Sequence, residues 1–188
     1  MKKYFYILLT MLIILFIPIN VHAEPQTEII FVGDSRTIGM DKVVKFSSND
    51  NIHTVAKVGK GYQWLISEGI TQIESIESDT TKNYVEVYLL GINDLKNVDK
   101  YTTWYQERAK EHNIILVSVN PVENYGKISN YTISNFNAEL IDTEIAYIDT
   151  NTLMQDIPFK KTVDGLHYNK EAYVYLYGII SESIVEYM

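Results

Sequence analysis

The chain has 188 residues, which at roughly 150 residues per domain allows one globular unit with a small extra segment and excludes two large domains. Its 46% hydrophobic and 21% charged residues are enough to build a core and exclude a disordered chain. With 16 basic against 24 acidic residues the net charge is -8, which argues against nucleic acid as a partner, and the absence of cysteine excludes disulfides, thiolate metal sites, a thiol nucleophile and a lipidated cysteine.

The chain begins with Lys2 and Lys3, continues through an apolar run from Ile7 to Ile19, and reaches Val21-His22-Ala23 before Glu24-Pro25. A basic start, an apolar centre and a small residue at the cut site make a signal peptide over residues 1–23, with cleavage after Ala23 and a domain over 24–188. The alternative is an uncleaved anchor, because Tyr4 to Val21 is 18 mostly apolar residues, just long enough to span a bilayer. Contact with a membrane is expected only in that case. Without residues 1–23 the domain holds 14 basic against 24 acidic residues, a net of -10. Either way it is expected outside the cytoplasmic membrane, where nucleotide cofactors are scarce, so hydrolytic chemistry without a cofactor gains weight.

Five apolar, β-rich runs follow: Glu28 to Val32, Ile52 to Val58, Tyr84 to Leu90, Ile114 to Val119 and Ile145 to Ile148. Between them the apolar residues fall at helical spacing, in Trp64, Leu65, Ile70 and Ile73, then Tyr101 to Lys110, then Ile133, Phe136, Leu140 and Ile141, with a last helix over Ala172 to Tyr187. Strands that alternate with helices and are nearly continuously apolar predict a parallel sheet covered on both faces. Asp149 to Asp164 reads as a loop. In such a sheet ligands bind beyond the carboxyl ends of the strands, so the residues after each strand are the ones to inspect.

After the first strand stands Gly33-Asp34-Ser35-Arg36-Thr37, a turn that sets a serine hydroxyl at a helix N-terminus, although Asp-Ser is equally an ordinary cap. After the second stands Gly59-Lys60-Gly61-Tyr62, where a glycine amide can approach a ligand or simply make a turn. Gly91-Ile92-Asn93-Asp94 follows the third strand, with Asn93 either aiming its amide at the same point or closing an Asx turn. Near the C-terminus, His167 lies before the last helix with Asp164 three residues earlier, close enough to orient its imidazole. No metal-ligating spacing is present, so neither a metal nor a cofactor is expected.

Taken in order, Gly33-Asp34-Ser35, Gly59, Gly91-x-Asn93-Asp94 and Asp164-x-x-His167 resemble the four sequence blocks of the SGNH/GDSL hydrolases, over nearly the whole domain. Arg36 departs from the leucine of the family's usual pattern, and either Gly59 or Gly61 matches the second block; Gly59 is nearer the strand end. The resemblance implies a flavodoxin-like three-layer α/β/α sandwich on a five-stranded parallel sheet, and serine esterase activity. It implies Ser35 as nucleophile, His167 as general base and Asp164 as the residue orienting it, with an oxyanion hole from the amides of Ser35 and Gly59 and the side chain of Asn93. An O-acyl ester is the expected substrate, as a small molecule or on a cell-wall or capsular sugar, with the protein acting as a monomer. Arg36, Tyr62 and Tyr168 are candidate substrate contacts, Arg36 through a substrate carboxylate and Tyr62 by stacking on a sugar. A noncatalytic carbohydrate-binding module and an O-acyltransferase are the alternatives on the same scaffold.

Overall fold

The structure, a computed structural model, describes residues 26–187. The expected signal peptide or anchor over residues 1–23 lies outside them. Among the described residues no helix is long and apolar enough to cross a membrane.

Five parallel strands, β1 (Thr27–Gly33), β2 (Ile52–Ala56), β3 (Asn83–Leu89), β4 (Ile114–Val117) and β5 (Tyr147–Ile148), form one sheet in the order β2-β1-β3-β4-β5. Their apolar runs are continuous because both faces are covered. Along β1, Ile30 and Val32 enter one core while Phe31 enters the other, and in β4 Ile114 and Leu116 part from Ile115 and Val117 in the same way. The first core is closed by α2 (62–76), α3 (Val98–Arg108) and α4 (Asn130–Ile141), through Ile73, Tyr101, Tyr105, Ile133 and Phe136. The second is closed by α1 (Ser35–Val44), α5 (Thr150–Gln155) and α6 (Lys170–Ile184), through Met40, Met154, Leu176 and Ile180. This is the three-layer α/β/α sandwich that the strand and helix pattern predicts.

Two local differences have physical causes. Helix α2 contains a π-helical segment, Leu65–Gly69, closed by the Ile70 amide bonding back to the Leu65 carbonyl. Leu65 at its start and Ile73 after it both enter the first core. Within the expected loop after Asp149 lies α5, whose N-terminus is capped by the Asp149 carboxylate accepting from the Thr152 amide at 3.1 Å. Its six residues are too few to show a helical period.

Candidate active site

In the order 2-1-3-4-5 the chain leaves β1 toward β2 on one side and returns as β3 on the other, so a crevice opens between the carboxyl ends of β1 and β3. Asp34 and Ser35 stand at the first of those ends and Asn93 at the second. Asp34 is the N-cap of α1, its Oδ1 accepting from the Arg36 amide at 2.8 Å, and this fixes Ser35 in the first turn with its hydroxyl facing the crevice loops. The Asp34 carboxyl is fully buried, and that desolvation pushes its pKa up to about 6 against the opposing pull of the Arg36 amide and charge.

His167 reaches the same point from the loop before α6. Its Nε2 lies 3.0 Å from Ser35 Oγ, and its Nδ1 lies 2.7 Å from Asp164 Oδ2. The Asp164 carboxylate also accepts the amides of Leu166 at 3.0 Å and His167 at 2.7 Å. The bond to the His167 ring, followed by these amides, holds Asp164 well below the usual carboxylate range. A carboxylate bonded to one ring nitrogen directs the other nitrogen to the hydroxyl, and the half-exposed imidazole leaves room for a substrate.

The loop that carries His167 is pinned from several sides. Val163 donates to the His167 carbonyl at 2.8 Å, and the Glu123 carboxylate accepts from the Thr162 amide at 2.8 Å and its hydroxyl at 2.7 Å. Gly165, at φ +90, passes so near the Glu123 carbonyl that a Cβ would lie 2.6 Å from it. Arg36 completes the anchorage: its Nε donates to the Leu166 carbonyl at 3.0 Å, and its terminal nitrogens donate to the carbonyls of Asn120 at 2.7 Å and Pro121 at 3.1 Å.

The expected substrate contacts are therefore redistributed. Arg36 is buried and its donors are committed to backbone carbonyls, so it is not presented to a substrate carboxylate. Tyr168 is buried beneath that guanidinium, 4.8 Å from ring centroid to Cζ, with its hydroxyl donating to the Pro121 carbonyl at 2.7 Å. Tyr62 is half-buried, packed edge-on to Tyr101 at 5.3 Å, and its amide donates to Asp94.

The oxyanion candidates differ among themselves. The Ser35 amide belongs to the first turn of α1, where N–H groups lack intrahelical acceptors. Asn93 is exposed, but its Nδ2 donates to Asp34 Oδ2 at 3.0 Å and to the Lys60 carbonyl at 2.9 Å, so an oxyanion would have to take one of these protons over. Gly59 is exposed at φ +69 with open space around it, as the residue of a turn closed by the Lys60 amide on the Lys57 carbonyl. Gly61 instead packs on the Asp94 carboxylate, which a Cβ there would strike, and its peptide is the one whose carbonyl Asn93 holds. Gly61 thus has the closer relation to Asn93, and spacing from the strand end alone does not reveal it. Asp34, Glu123 and the use of Arg36 also go beyond what the sequence signals.

Among the described residues one cluster has the donors of a metal site, Glu77, Glu86 and His112, with Glu86 inside β3 and not at its carboxyl end. Arg108 fills it, with its guanidinium 2.7 Å from both carboxylates, and Tyr88 donates to Glu86 as well. The donor set is that of an internal ion-pair network and does not fit a resident metal.

An open parallel sheet of this order with a serine, histidine and aspartate in hydrogen-bond sequence at its switch point defines an α/β protein with the arrangement of a serine hydrolase. No protein-family model matches the chain, and no curated protein matches its sequence. Solved structures do match in fold. The C-terminal catalytic domain of peptidoglycan O-acetyltransferase A from Streptococcus pneumoniae aligns with TM-score 0.66 at 17% identity, over 87% of this chain and 95% of that one. A protein assigned to the lipolytic G-D-S-L family from Desulfitobacterium hafniense aligns with TM-score 0.65 at 16% identity, over 84% and 99%. A GDSL-like lipase from Parabacteroides merdae aligns with TM-score 0.61 at 12% identity, over 85% and 95%. The chain has the SGNH/GDSL hydrolase fold.

Proposed function

We propose that the protein is an extracytoplasmic serine esterase that hydrolyses O-acyl esters, with O-acetyl groups on cell-wall or other extracellular polysaccharide as the first choice. The observation that carries the reading is the chain of contacts from Asp164 to His167 at 2.7 Å and from His167 to Ser35 at 3.0 Å. Ser35 Oγ attacks the ester carbonyl as His167 Nε2 takes its proton, and the carbonyl π electrons move to oxygen. When the tetrahedral intermediate collapses, His167 returns the proton to the leaving alkoxide, and the sugar hydroxyl departs from an acyl-Ser35. Water then attacks with His167 again as base, releasing the acid and restoring the hydroxyl. Asp164 keeps the ring in the tautomer that serves both steps and offsets the positive charge of the imidazolium. The Ser35 amide, the Gly61 amide and the Asn93 side chain are the donors assigned to the oxyanion, and each such donor supplies about 10²-fold or more in rate.

The test combines a fluorophosphonate probe with acetate release from a panel of acetylated polysaccharides. Labelling at Ser35, with acetate release abolished by Ser35→Ala and by His167→Ala in folded protein, is expected. Folded wild-type protein that leaves the probe unreacted would favour the noncatalytic carbohydrate-binding alternative. The second enzymatic reading, transfer of the acyl group from Ser35 to a sugar hydroxyl, draws support from the acetyltransferase fold neighbour. Product analysis with an added acceptor separates transfer from hydrolysis.

A further inference from the structure

Charge is distributed unevenly over this acidic domain. Along the loops beside Asn93 lie Lys57 and Lys60 after β2, Lys96 after β3, and Lys127 between β4 and α4. Lys57 is taken up by Glu68, at 2.5 Å. Lys60, Lys96 and Lys127 have no carboxylate at ion-pair distance among the described residues, and Lys96 and Lys127 are exposed. All three line two adjoining clefts that share Asn93 and Asp94. One, of about 320 Å³, has Lys60, Gly61 and Gln63 in its wall; the other, of about 270 Å³, has Lys96, Lys127 and Ile128. Asp94 makes no ion pair with them; its carboxylate is turned inward to the Tyr62 amide at 2.9 Å, Asn97 Nδ2 at 3.0 Å and the Tyr101 hydroxyl at 2.8 Å.

We infer that Lys60, Lys96 and Lys127 form an anion-recognising rim on either side of Asn93, and that the acyl group is carried by a polyanionic glycan. This deepens the esterase reading, on which the location of the site rests. A polyanion approaching a domain with 14 basic and 24 acidic residues beyond position 23 meets net repulsion unless cations gather where it docks. The three lysines gather there. They do no visible structural work, and the one arginine beside the nucleophile is buried and committed elsewhere. Carboxylates of a polyuronate and phosphodiesters of a polyol phosphate share the required chemistry.

De-esterified oligomers separate binding from turnover. Calorimetric titration of the wild-type protein with hexagalacturonate, with a glycerol phosphate hexamer and with neutral mannohexaose is expected to show binding of an anionic oligomer in preference to the neutral one. Which anion binds tighter identifies the source of the charge. Each exposed ion contact contributes about 1.5- to 5-fold, so the triple variant Lys60→Gln, Lys96→Gln, Lys127→Gln should bind about 3- to 100-fold more weakly. Salt at 1 M, which shortens screening to about 3 Å, should weaken the wild type in the same direction. A control with the same charge change at Lys42, Lys45 and Lys110 should bind as the wild type does. Equal affinity for the neutral oligomer, or equal weakening by both triple variants, overturns the rim. Hydrolysis of p-nitrophenyl acetate, measured alongside, keeps the two readings apart. Turnover without anion preference defeats the rim alone, and anion preference without turnover defeats the esterase while the rim stands.

Discussion

Replacing Arg36 by leucine, the residue of the family pattern that the sequence resembles, tests what holds the histidine loop in place. The substitution removes donors from three carbonyls, at 3.0 Å to Leu166, 2.7 Å to Asn120 and 3.1 Å to Pro121. The three losses are unequal. Pro121 keeps the Tyr168 hydroxyl at 2.7 Å, and the half-buried Leu166 can be reached by water. Asn120 is buried, and an orphaned buried acceptor costs about 1–3 kcal/mol, while each charge-assisted bond lost elsewhere costs up to about 1.5–3 kcal/mol before water compensates. Relief from burying a guanidinium offsets part of this, so a net loss of about 2–4 kcal/mol follows. With a urea slope of about 2 kcal/mol per molar, the middle of the usual range, the unfolding midpoint should fall by about 1–2 M. Turnover should fall as well, since Leu166 directly precedes His167 and the 3.0 Å contact to Ser35 depends on that loop. Arg36→Lys, a point donor without the planar fork, should lie between the two. A leucine variant matching the wild-type stability within the roughly 10–15% uncertainty of the extrapolation would refute the clamp.

Gly61→Ala should reduce kcat on p-nitrophenyl acetate at least about tenfold, because a Cβ strikes the Asp94 carboxylate and shifts the peptide held by Asn93. Gly59→Ala, at φ +69 in open space, should cost about 1–2 kcal/mol of stability with little change in kcat, and the reverse order would return the oxyanion role to Gly59. The Asp34 carboxyl, raised from 3.8 to about 6 in the folded state, binds a proton more tightly folded than unfolded, so its contribution to stability is lost as pH rises from about 4 to 6. Urea unfolding should therefore show the stability of Asp34→Asn relative to wild type rising by about 3 kcal/mol across that window, and a pH-independent difference would contradict the burial cost. Arg108→Met strands the buried Glu86 carboxylate and leaves Glu77 without its guanidinium partner, and should cost about 3–5 kcal/mol at neutral pH. Glu77 is raised to about 8, by burial first and Glu86 next, and in the variant it loses the opposing pull of Arg108, so the loss should stay level below about pH 8 and deepen above it; unfolding midpoints at about pH 7 and 9 check this.

The sheet was readable because its residues are dictated by burial on both sides. Ile114-Ile115-Leu116-Val117 has no polar face, and only a strand covered by helices above and below uses such a run. Where burial is one-sided or brief the reading weakened. Only Tyr147 and Ile148 pair with β4, so the fifth strand is shorter than its apolar run from Ile145, and α5 is too short to display a period. The π-helical segment at Leu65–Gly69 is harder still, because Leu65 and Ile73 keep a spacing that one face of a regular helix also allows.

The site divides along the same line between local and distant causes. Asp164 and His167 are three residues apart, and one loop suffices to bond them, so their pairing is visible in the chain. Ser35 and His167 are separated by 132 residues, and what joins them is the order of the strands together with a loop held by Glu123 and Arg36. No property of Arg36 as a residue distinguishes a guanidinium awaiting a carboxylate from one whose carbonyl partners lie 84 to 130 positions away. The same holds for Asn93, whose amide type suits an oxyanion but whose protons are held by Asp34 and Lys60. An ester carbonyl entering the crevice must compete with those two acceptors. The Asp34 carboxylate, buried and capping α1, is the costlier one to strip of its donor. The half-buried Lys60 carbonyl can turn to water, so on the proposed esterase reading an oxyanion would gain its Asn93 hydrogen bond by displacing Lys60, the residue whose side chain stands on the proposed cationic rim.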